Sequence, residues 1–298
     1  MEKRKVVCVV GPTASGKTSL SITLAKEYNG EVISADSRQV YRGLDIGSGK
    51  VTEKEMDGVP HHLLDVVSPQ QVFTASEFVQ KGREAIEDIF AREKVPIIAG
   101  GTGFYIDALL GYTSIADAPP NETLRTKLET YTTEQLQEVL RHKDPERFET
   151  IDQKNPRRLI RAIEIVEALG KNPPPQKDAI YETLWIGISH PQQTLHERIH
   201  TRLMERLEKE DMLQEAINLH ASGLSYDRME ELGLEYRYMA RHLVGTLSYD
   251  EMVQELEQAT KQYAKRQMTW LKRNEEIIWI NPSETKKAKA LIEDFLAK

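Results

Sequence analysis

Cysteine is almost missing from this chain: Cys8 is the only one in 298 residues. One cysteine permits no intramolecular disulfide and no cysteine-based zinc site, and such usage fits a reducing cytoplasm. Cys8 itself lies inside an apolar run, which predicts a small buried hydrophobe rather than a reactive thiol. Long hydrophobic segments are also missing. None approaches the ~20 apolar residues of a membrane span, so no membrane partner is expected. The basic residues at the N-terminus precede an apolar run too short for a signal peptide. An excess of positive charge is lacking too: the formal net charge is −7. That argues against indiscriminate nucleic-acid binding but leaves room for a local basic groove. Neither an internal repeat nor a low-complexity tract is present, and 29% charged with 39% hydrophobic residues is ordinary for a soluble protein.

What is present is concentrated near the start. Val6-Val7-Cys8-Val9-Val10 reads as a buried strand, and it runs into Gly11-Pro12-Thr13-Ala14-Ser15-Gly16-Lys17-Thr18. This is the G-x-x-x-x-G-K-T phosphate-loop pattern in its required strand-then-helix setting. Gly11 and Gly16 let the backbone turn so that Thr13, Ala14, Ser15 and their neighbours aim N–H groups into one anion-binding concavity. The start of the following helix favours the same negative charge. Lys17 supplies a point charge to the terminal phosphate, and the Thr18 hydroxyl is the expected Mg2+ ligand. The loop announces a di- or triphosphate without saying which one.

Downstream, residues 19–28 read as a helix and 31–36 as a second strand, which puts Asp36 at a strand's carboxyl end, the edge where open parallel sheets bind ligands. Residues 43–69 read mostly as loop. They contain His61-His62, for which a structural role is expected over a metal site, since adjacent histidines point apart and no acidic or cysteine cluster is near. A helix over 76–92 leads to a third strand at 95–99, which ends in Gly100-Gly101-Thr102-Gly103 at the same sheet edge. Residues 119–150 and 211–250 are helical and strand-free. A helix at 155–169 is followed by a proline-rich linker at 171–175. Strands are expected at 183–188 and 277–280, and helices at 192–210, 249–272 and 286–297. Alternating strands and helices predict an α/β fold with a parallel-sheet, phosphate-loop core. The expected core comprises 1–118, 152–210 and 251–298, with helical insertions at 119–151 and 211–250.

The chemistry of this constellation departs from an ordinary ATPase. The third strand ends in Ile97-Ile98-Ala99 and glycines, with no acid to hold Mg2+ or activate water. The acid is Asp36, beside Ser37 and Gln39. A phosphate loop can hold a diphosphate as leaving group while Asp36 takes the proton of an incoming nucleophile; a helix cap or a magnesium ligand is the competing role for Asp36. Two segments look like nucleic-acid contacts. Lys154, Arg157, Arg158 and Arg161 form one. Residues 261–273 form the other, with five basic residues and no acid, and with Tyr263, Gln267 and Trp270 interleaved. Arg198, Arg202 and Arg206 recur every four residues and so share a helix face.

Taken in order, these motifs resemble the tRNA dimethylallyltransferases, also called isopentenyl-tRNA transferases. The matching pieces are Gly11–Thr18, Asp36-Ser37-Arg38-Gln39-Val40-Tyr41, Asp45-Ile46-Gly47, His61-His62-Leu63-Leu64-Asp65, residues 100–105, Asn155-Pro156-Arg157-Arg158-Leu159-Ile160-Arg161-Ala162 and Lys265-Arg266-Gln267-Met268-Thr269-Trp270-Leu271. They span nearly the whole chain. The resemblance implies transfer of a dimethylallyl group from dimethylallyl diphosphate to N6 of the adenosine 3′ of the anticodon, in tRNAs reading codons that begin with U. It implies Asp36 as general base, Thr102 near the reacting centre, and Lys17 and Thr18 on diphosphate and Mg2+. It implies tRNA contacts at Asp36, Ser37, Arg38, Gln39, Thr102, Arg125, Arg157, Arg158, Leu159, Ile160 and Arg161, with Lys265, Arg266, Gln267 and Trp270 added by the basic helix. Arg198 and Arg202 are candidates for the same diphosphate, against surface ion pairs with Glu197 and Glu205. The tRNA anticodon stem-loop is then the macromolecular partner, and a monomer is expected. Two departures stand out: Gly233-Leu234-Glu235-Tyr236-Arg237-Tyr238 replaces a Gly-x-Gly-Tyr-type segment, and the zinc module of eukaryotic relatives is absent, which favours a bacterial type. Prenylation of a free adenine nucleotide, or a nucleotide kinase on the same fold, is the alternative.

Overall fold

The buried strand predicted at the start forms as β1 (Lys5–Val10) and carries the fold. Val6 through Val10 are fully buried, as an all-parallel sheet covered on both faces requires. Each such side chain contributes about 1.5–3 kcal/mol relative to exposure. The computed structural model describes residues 3–116, 118, 119, 121–173 and 179–298. By contacts these divide into two units, one formed by Met1–Leu110 with Ala179–Lys298 and the other by Gly111–Asp178.

In the first unit β1 is followed by α1 (Lys17–Glu27), β2 (Gly30–Ala35), α2 (Glu53–Met56), β3 (His61–His62), α3 (Ala75–Ala91), β4 (Val95–Gly100) and α4 (Gly103–Leu110). The strands pair in the order β3-β2-β4-β1, and β5 (Glu182–Ile188) and β6 (Ile278–Ile280) complete the sheet beyond β1. Every pairing is parallel, with Cys8 opposite both Ile98 and Trp185. Earlier strands lie on one side of β1 and later ones on the other. Its carboxyl end therefore sits where the chain changes direction, the position at which such sheets bind ligands. One core cluster joins the strands to Leu20, Leu24 and Ala25 and to Ala288, Ile292 and Phe295 near the C-terminus.

Among the described residues of the second unit the regular elements are all helices: α5 (Glu122–Glu129), α6 (Thr133–Lys143), α7 (Pro145–Thr150) and α8 (Pro156–Leu169). The expected insertion ended at residue 151, with 152–210 assigned to the core. Instead the apolar face of α8, Leu159, Ile163 and Val166, packs on Leu128, Leu136, Leu140 and Phe148, so α8 groups with the helices before it. The second expected insertion, 211–250, groups with the sheet in the first unit. After β5 that unit continues through α9 (Gln192–Glu208), α10 (Met212–Ala221), α11 (Tyr226–Glu231), α12 (Leu234–Leu243), α13 (Tyr249–Leu271) and, past β6, α14 (Thr285–Ala297).

The expected loop at 43–69 contains a strand. β3 is two residues long, too short to show an alternating pattern, and Val32 and Ile33 of β2 pair with it. Glu31, its carboxylate nearly inaccessible on β2, holds that edge. It accepts from Arg92, from Lys94 Nζ at 2.7 Å and from His62 Nε2 at 2.8 Å. The two hydrogen bonds from Arg92, followed by those from Lys94 and His62, hold the Glu31 carboxyl well below the usual carboxylate range. A depressed folded-state value stabilises the protein above the unfolded value of ~4.3, and that contribution is lost as pH falls below it. Glu31→Gln removes the charge that the half-exposed Arg92, Lys94 and His62 converge on and should cost about 1–3 kcal/mol in urea unfolding at neutral pH. The deficit should shrink in acid, as the wild-type carboxylate takes up its proton.

Candidate active site

The phosphate loop takes its shape from two left-handed residues, Ala14 at φ 59° and Gly16 at φ 94°. The Ser15 amide donates to Pro12 O at 3.3 Å, and α1 begins at Lys17. Such a turn directs amides toward one concavity at a helix start. The loop is braced from outside. Arg198 Nε donates to Ala14 O at 2.7 Å, and the His190 Nε2–H donates to Ser15 O at 2.9 Å. Gln267, near the C-terminal end of α13, accepts the Thr13 N–H at 2.8 Å and donates Nε2–H to Gly101 O at 3.1 Å. One buried amide thereby ties the loop after β1 to the turn after β4. The Thr102 amide in that turn reaches back to Ala35 O at 3.3 Å.

A cavity of about 280 Å³ opens at this edge, lined among others by Thr13, Lys17, Thr18, Asp36, Gln39, Arg202 and Tyr263. Asp36 leaves the end of β2 with its Oδ1 accepting the amides of Arg38 at 2.8 Å and Gln39 at 3.4 Å. Its Oδ2 has no protein partner among the described residues. Asp36 therefore caps the turn with one oxygen and keeps the other, so a cap and a base are compatible in one side chain. Gln39 is held by Ser34 Oγ at 3.0 Å and donates to Gly49 O at 3.1 Å. Burial brings the Lys17 ammonium down to about 8; the Asp36 carboxylate opposes the change and Arg202 adds to it. Burial, with the Asp36 charge, pushes the Tyr263 phenol up to about 12, so it remains a hydrogen-bond donor at neutral pH.

Arg202 and Arg206 project from one face of α9 onto Gly49. Gly49 has φ +62°, and a Cβ there would lie 2.1 Å from the Arg202 guanidinium and 1.6 Å from that of Arg206. The spot is thus reserved for glycine by both conformation and space. The two guanidiniums donate to Gly49 O at 3.4 Å and Gly47 O at 3.5 Å. Burial, followed by the charge of Arg206, lowers the Arg202 guanidinium to about 10. Glu235, in the first turn of α12, also lines the cavity. Burial raises its carboxyl, with Arg206 acting in the opposite direction.

Several expected contacts occupy other roles. Arg198 is exposed and supports the Ala14 carbonyl from outside the loop, forming no ion pair with Glu197 or Glu205 among the described residues. Ser37, Arg38 and Arg266 line the cavity, while Lys265 is exposed on α13. Gln267 faces inward as a brace rather than outward to RNA. Trp270 is half-buried: its Nε1–H donates to Asp107 Oδ2 at 2.8 Å, and Phe104 meets its ring edge-on at 6.2 Å. Thr102 opens α4 with its side chain beside Tyr263. In the second unit, Arg125 and Arg161 are tied to the buried Glu164, by Nε at 2.8 Å and NH1 at 3.4 Å. Arg157 and Arg158 are exposed at the start of α8. Leu159 and Ile160 are a correction: at 0% and 8% exposure their side chains belong to that unit's core, because they fall on the apolar face of the helix. His62 is bound to Glu31, and His61 donates Nδ1–H to Val59 O at 2.8 Å. His61 also lines the cavity, and its Nε2 is buried with no hydrogen-bond partner among the described residues. His190, Arg206, Tyr263 and Glu235 are not among the expected site residues, although Arg206 shares the four-residue spacing of Arg202, Tyr263 is interleaved in the basic tract and Glu235 lies in the departing 233–238 segment.

Known proteins share this arrangement. The family model for IPP transferases matches residues 39–274. A tRNA dimethylallyltransferase of Bacillus pumilus is 38% identical over 288 residues, covering 94% of this chain and 90% of its own length. A tRNA dimethylallyltransferase 2 of Treponema denticola is 42% identical over 281 residues, covering 92% and 93%. Among solved structures, the full-length tRNA isopentenylpyrophosphate transferase of Bacillus halodurans superposes with a TM-score of 0.74 at 35% identity, covering 99% of this chain and 96% of that one. A eukaryotic dimethylallyltransferase described as acting on tRNA reaches 0.86 at 26% identity, with 99% and 80% covered. With its motifs in order and these likenesses running over almost its whole length, the chain belongs to the IPP transferase family, that of the tRNA dimethylallyltransferases.

Proposed function

We propose that this chain transfers the dimethylallyl group of dimethylallyl diphosphate to N6 of the adenosine 3′ of the anticodon, in tRNAs reading codons that begin with U. The observation that carries the reading is one cavity holding both Lys17 of the phosphate loop and the Asp36 carboxylate, with no acid at the end of β4. A hydrolase needs an acid placed to hold Mg2+ or orient water. A transferase to an amine needs a proton acceptor beside a leaving-group pocket.

The step is a displacement. The adenosine N6 lone pair forms a bond to the allylic C1, the C1–O bond breaks with its pair passing to the diphosphate, and the free Oδ2 of Asp36 takes the N6 proton. Capping through Oδ1 fixes the carboxylate in place, which serves general-base catalysis by geometry before basicity. The loop amides and the Lys17 ammonium stabilise the charge that develops on the diphosphate. Tyr263 and Gln39 border the acceptor side and restrict how the base enters. A base in an anticodon loop is cheaper to extract than one in a duplex. Arg38 and Arg266 in the cavity lining and Lys265, exposed on α13, supply phosphate contacts of the stem-loop.

The donor set fits Mg2+. A hard oxygen ligand, the Thr18 hydroxyl in the cavity wall, suits an ion that keeps most of its coordination for water and phosphate oxygens. When bound, Mg2+ supplies charge neutralisation of the diphosphate.

Labelled dimethylallyl diphosphate incubated with Mg2+ and an unmodified stem-loop should place label on adenosine N6. A stem-loop with guanosine at the target position should take up none. Label absent from all candidate stem-loops, or appearing equally on free AMP, would overturn the reading. Asp36→Asn retains the turn cap, so tRNA affinity should survive while kcat falls by about 10²–10⁴. Unchanged turnover would remove Asp36 from the chemistry. Lys17 gives a pH signature. An ammonium lowered to about 8 is largely deprotonated above that pH in the empty protein, and a bound diphosphate favours the charged form. Diphosphate binding at pH 8.5–9 should therefore take up a proton, seen as a calorimetric heat that varies with the buffer's ionisation enthalpy, and Lys17→Met should abolish the variation.

A further inference from the structure

The cavity wall holds an imbalance that the reaction does not use. Arg202 and Arg206 converge on Gly49, close enough that the charge of one lowers the proton affinity of the other. Their hydrogen bonds go to the backbone carbonyls of Gly49 and Gly47, both at long range. Among the described residues neither guanidinium has a carboxylate within ion-pair distance. Two carboxylates line the cavity, Asp36 and Glu235. Asp36 is committed to the turn cap and to proton transfer. Glu235 has neither duty: no side chain hydrogen-bonds to it among the described residues, and α12 begins at Gly233 without a side-chain cap. It shares the cavity lining with Arg202 and Asp36.

We propose that Glu235 is a positioning and tuning residue that acts through Arg202 and Arg206: its carboxylate offsets their charge in the empty cavity and so weakens their hold on diphosphate. The inference rests on the reading of this cavity as the diphosphate site. The logic is that of differential binding. A loop, an ammonium and two guanidiniums that grip the leaving group equally before and after reaction raise no rate and delay product departure. A carboxylate in the same cavity wall competes with the diphosphate for them in every state, which loosens the product. It acts without occupying the phosphate position itself, so it lowers affinity by charge rather than by blocking the site.

The test is the affinity for inorganic diphosphate, measured by calorimetry with the full-length chain and Mg2+. Glu235→Gln keeps the shape and removes the charge; it should bind diphosphate about tenfold more tightly than wild type, and KM for dimethylallyl diphosphate should fall with no rise in kcat. Glu235→Asp, which restores the charge, should return the affinity toward wild type. A merely structural role for Glu235 predicts weaker binding on losing it, so equal or weaker affinity in Glu235→Gln overturns the inference. Failure of the wild type to bind diphosphate at all would instead overturn the reading of the cavity. Arg202→Gln provides the second arm: in that background the gain from Glu235→Gln should shrink, and a full gain would show that Glu235 does not work through Arg202.

Discussion

A single buried amide holds the site together. Gln267 offers its carbonyl oxygen to the Thr13 amide and its nitrogen to the Gly101 carbonyl. It thereby sets the spacing between two glycine-rich turns that leave neighbouring strands, β1 and β4. Both turns depend on it for a partner, because a loop bent to aim its amides at a ligand has few backbone bonds of its own. The close approach is possible since Gly101 has no Cβ; one there would stand 2.2 Å from the Gln267 nitrogen. A lysine or arginine at this point of α13 could not accept from Thr13 while donating to Gly101. The amide does both, and this explains a polar side chain only 6% exposed in an otherwise basic helical segment.

Charge is the second constraint, and it opposes the first. Bracing the turns brings Lys17, Arg202 and Arg206 into a partly enclosed space where each loses hydration. The penalty is visible in Lys17 and Arg202, which hold their protons less tightly than free side chains do. Buried unpaired charge is among the costliest features a fold can carry. The sheet therefore supports a site that is strained until an anion arrives, and electrostatic preorganisation of this kind needs no reorganisation at the moment of reaction. Glu31 is the contrasting case on the same sheet. There a carboxylate surrounded by Arg92, Lys94 and His62 is fully compensated, and the result is a rigid edge rather than a reactive cavity.

What could be read from the sequence follows the range of the interactions involved. The phosphate loop, the strand before it and the place of Asp36 at a strand end are local, and each depends on a run of fewer than about ten residues with its own periodicity. The parallel α/β core follows from alternation. The two-residue β3 lies below the resolution of any pattern, and its pairing depends on Glu31, which is thirty residues away in the chain. The inward orientation of Gln267 and the anchoring of Trp270 on Asp107 escape a reading by composition. A tract of five basic residues predicts a solvated or RNA-facing stripe, whereas a helix of 23 residues presents every side in turn. Leu159 and Ile160 show the converse error: a motif carries apolar residues beside its arginines, and burial rather than proximity in sequence separates their roles.

Asp36 shows why the competing roles foreseen for it did not have to exclude one another. A carboxylate has two oxygens and about four acceptor sites. With Oδ1 occupied by the amides of Arg38 and Gln39, the group loses rotational freedom, and the remaining oxygen is held in place. A base that rotates must pay entropy each time it meets its substrate; one pinned by its own backbone has met that cost in folding. The turn that looks like routine capping is thus what holds in place the short carboxylate proposed as the base. The same argument places the demand for precision on β2 and its turn.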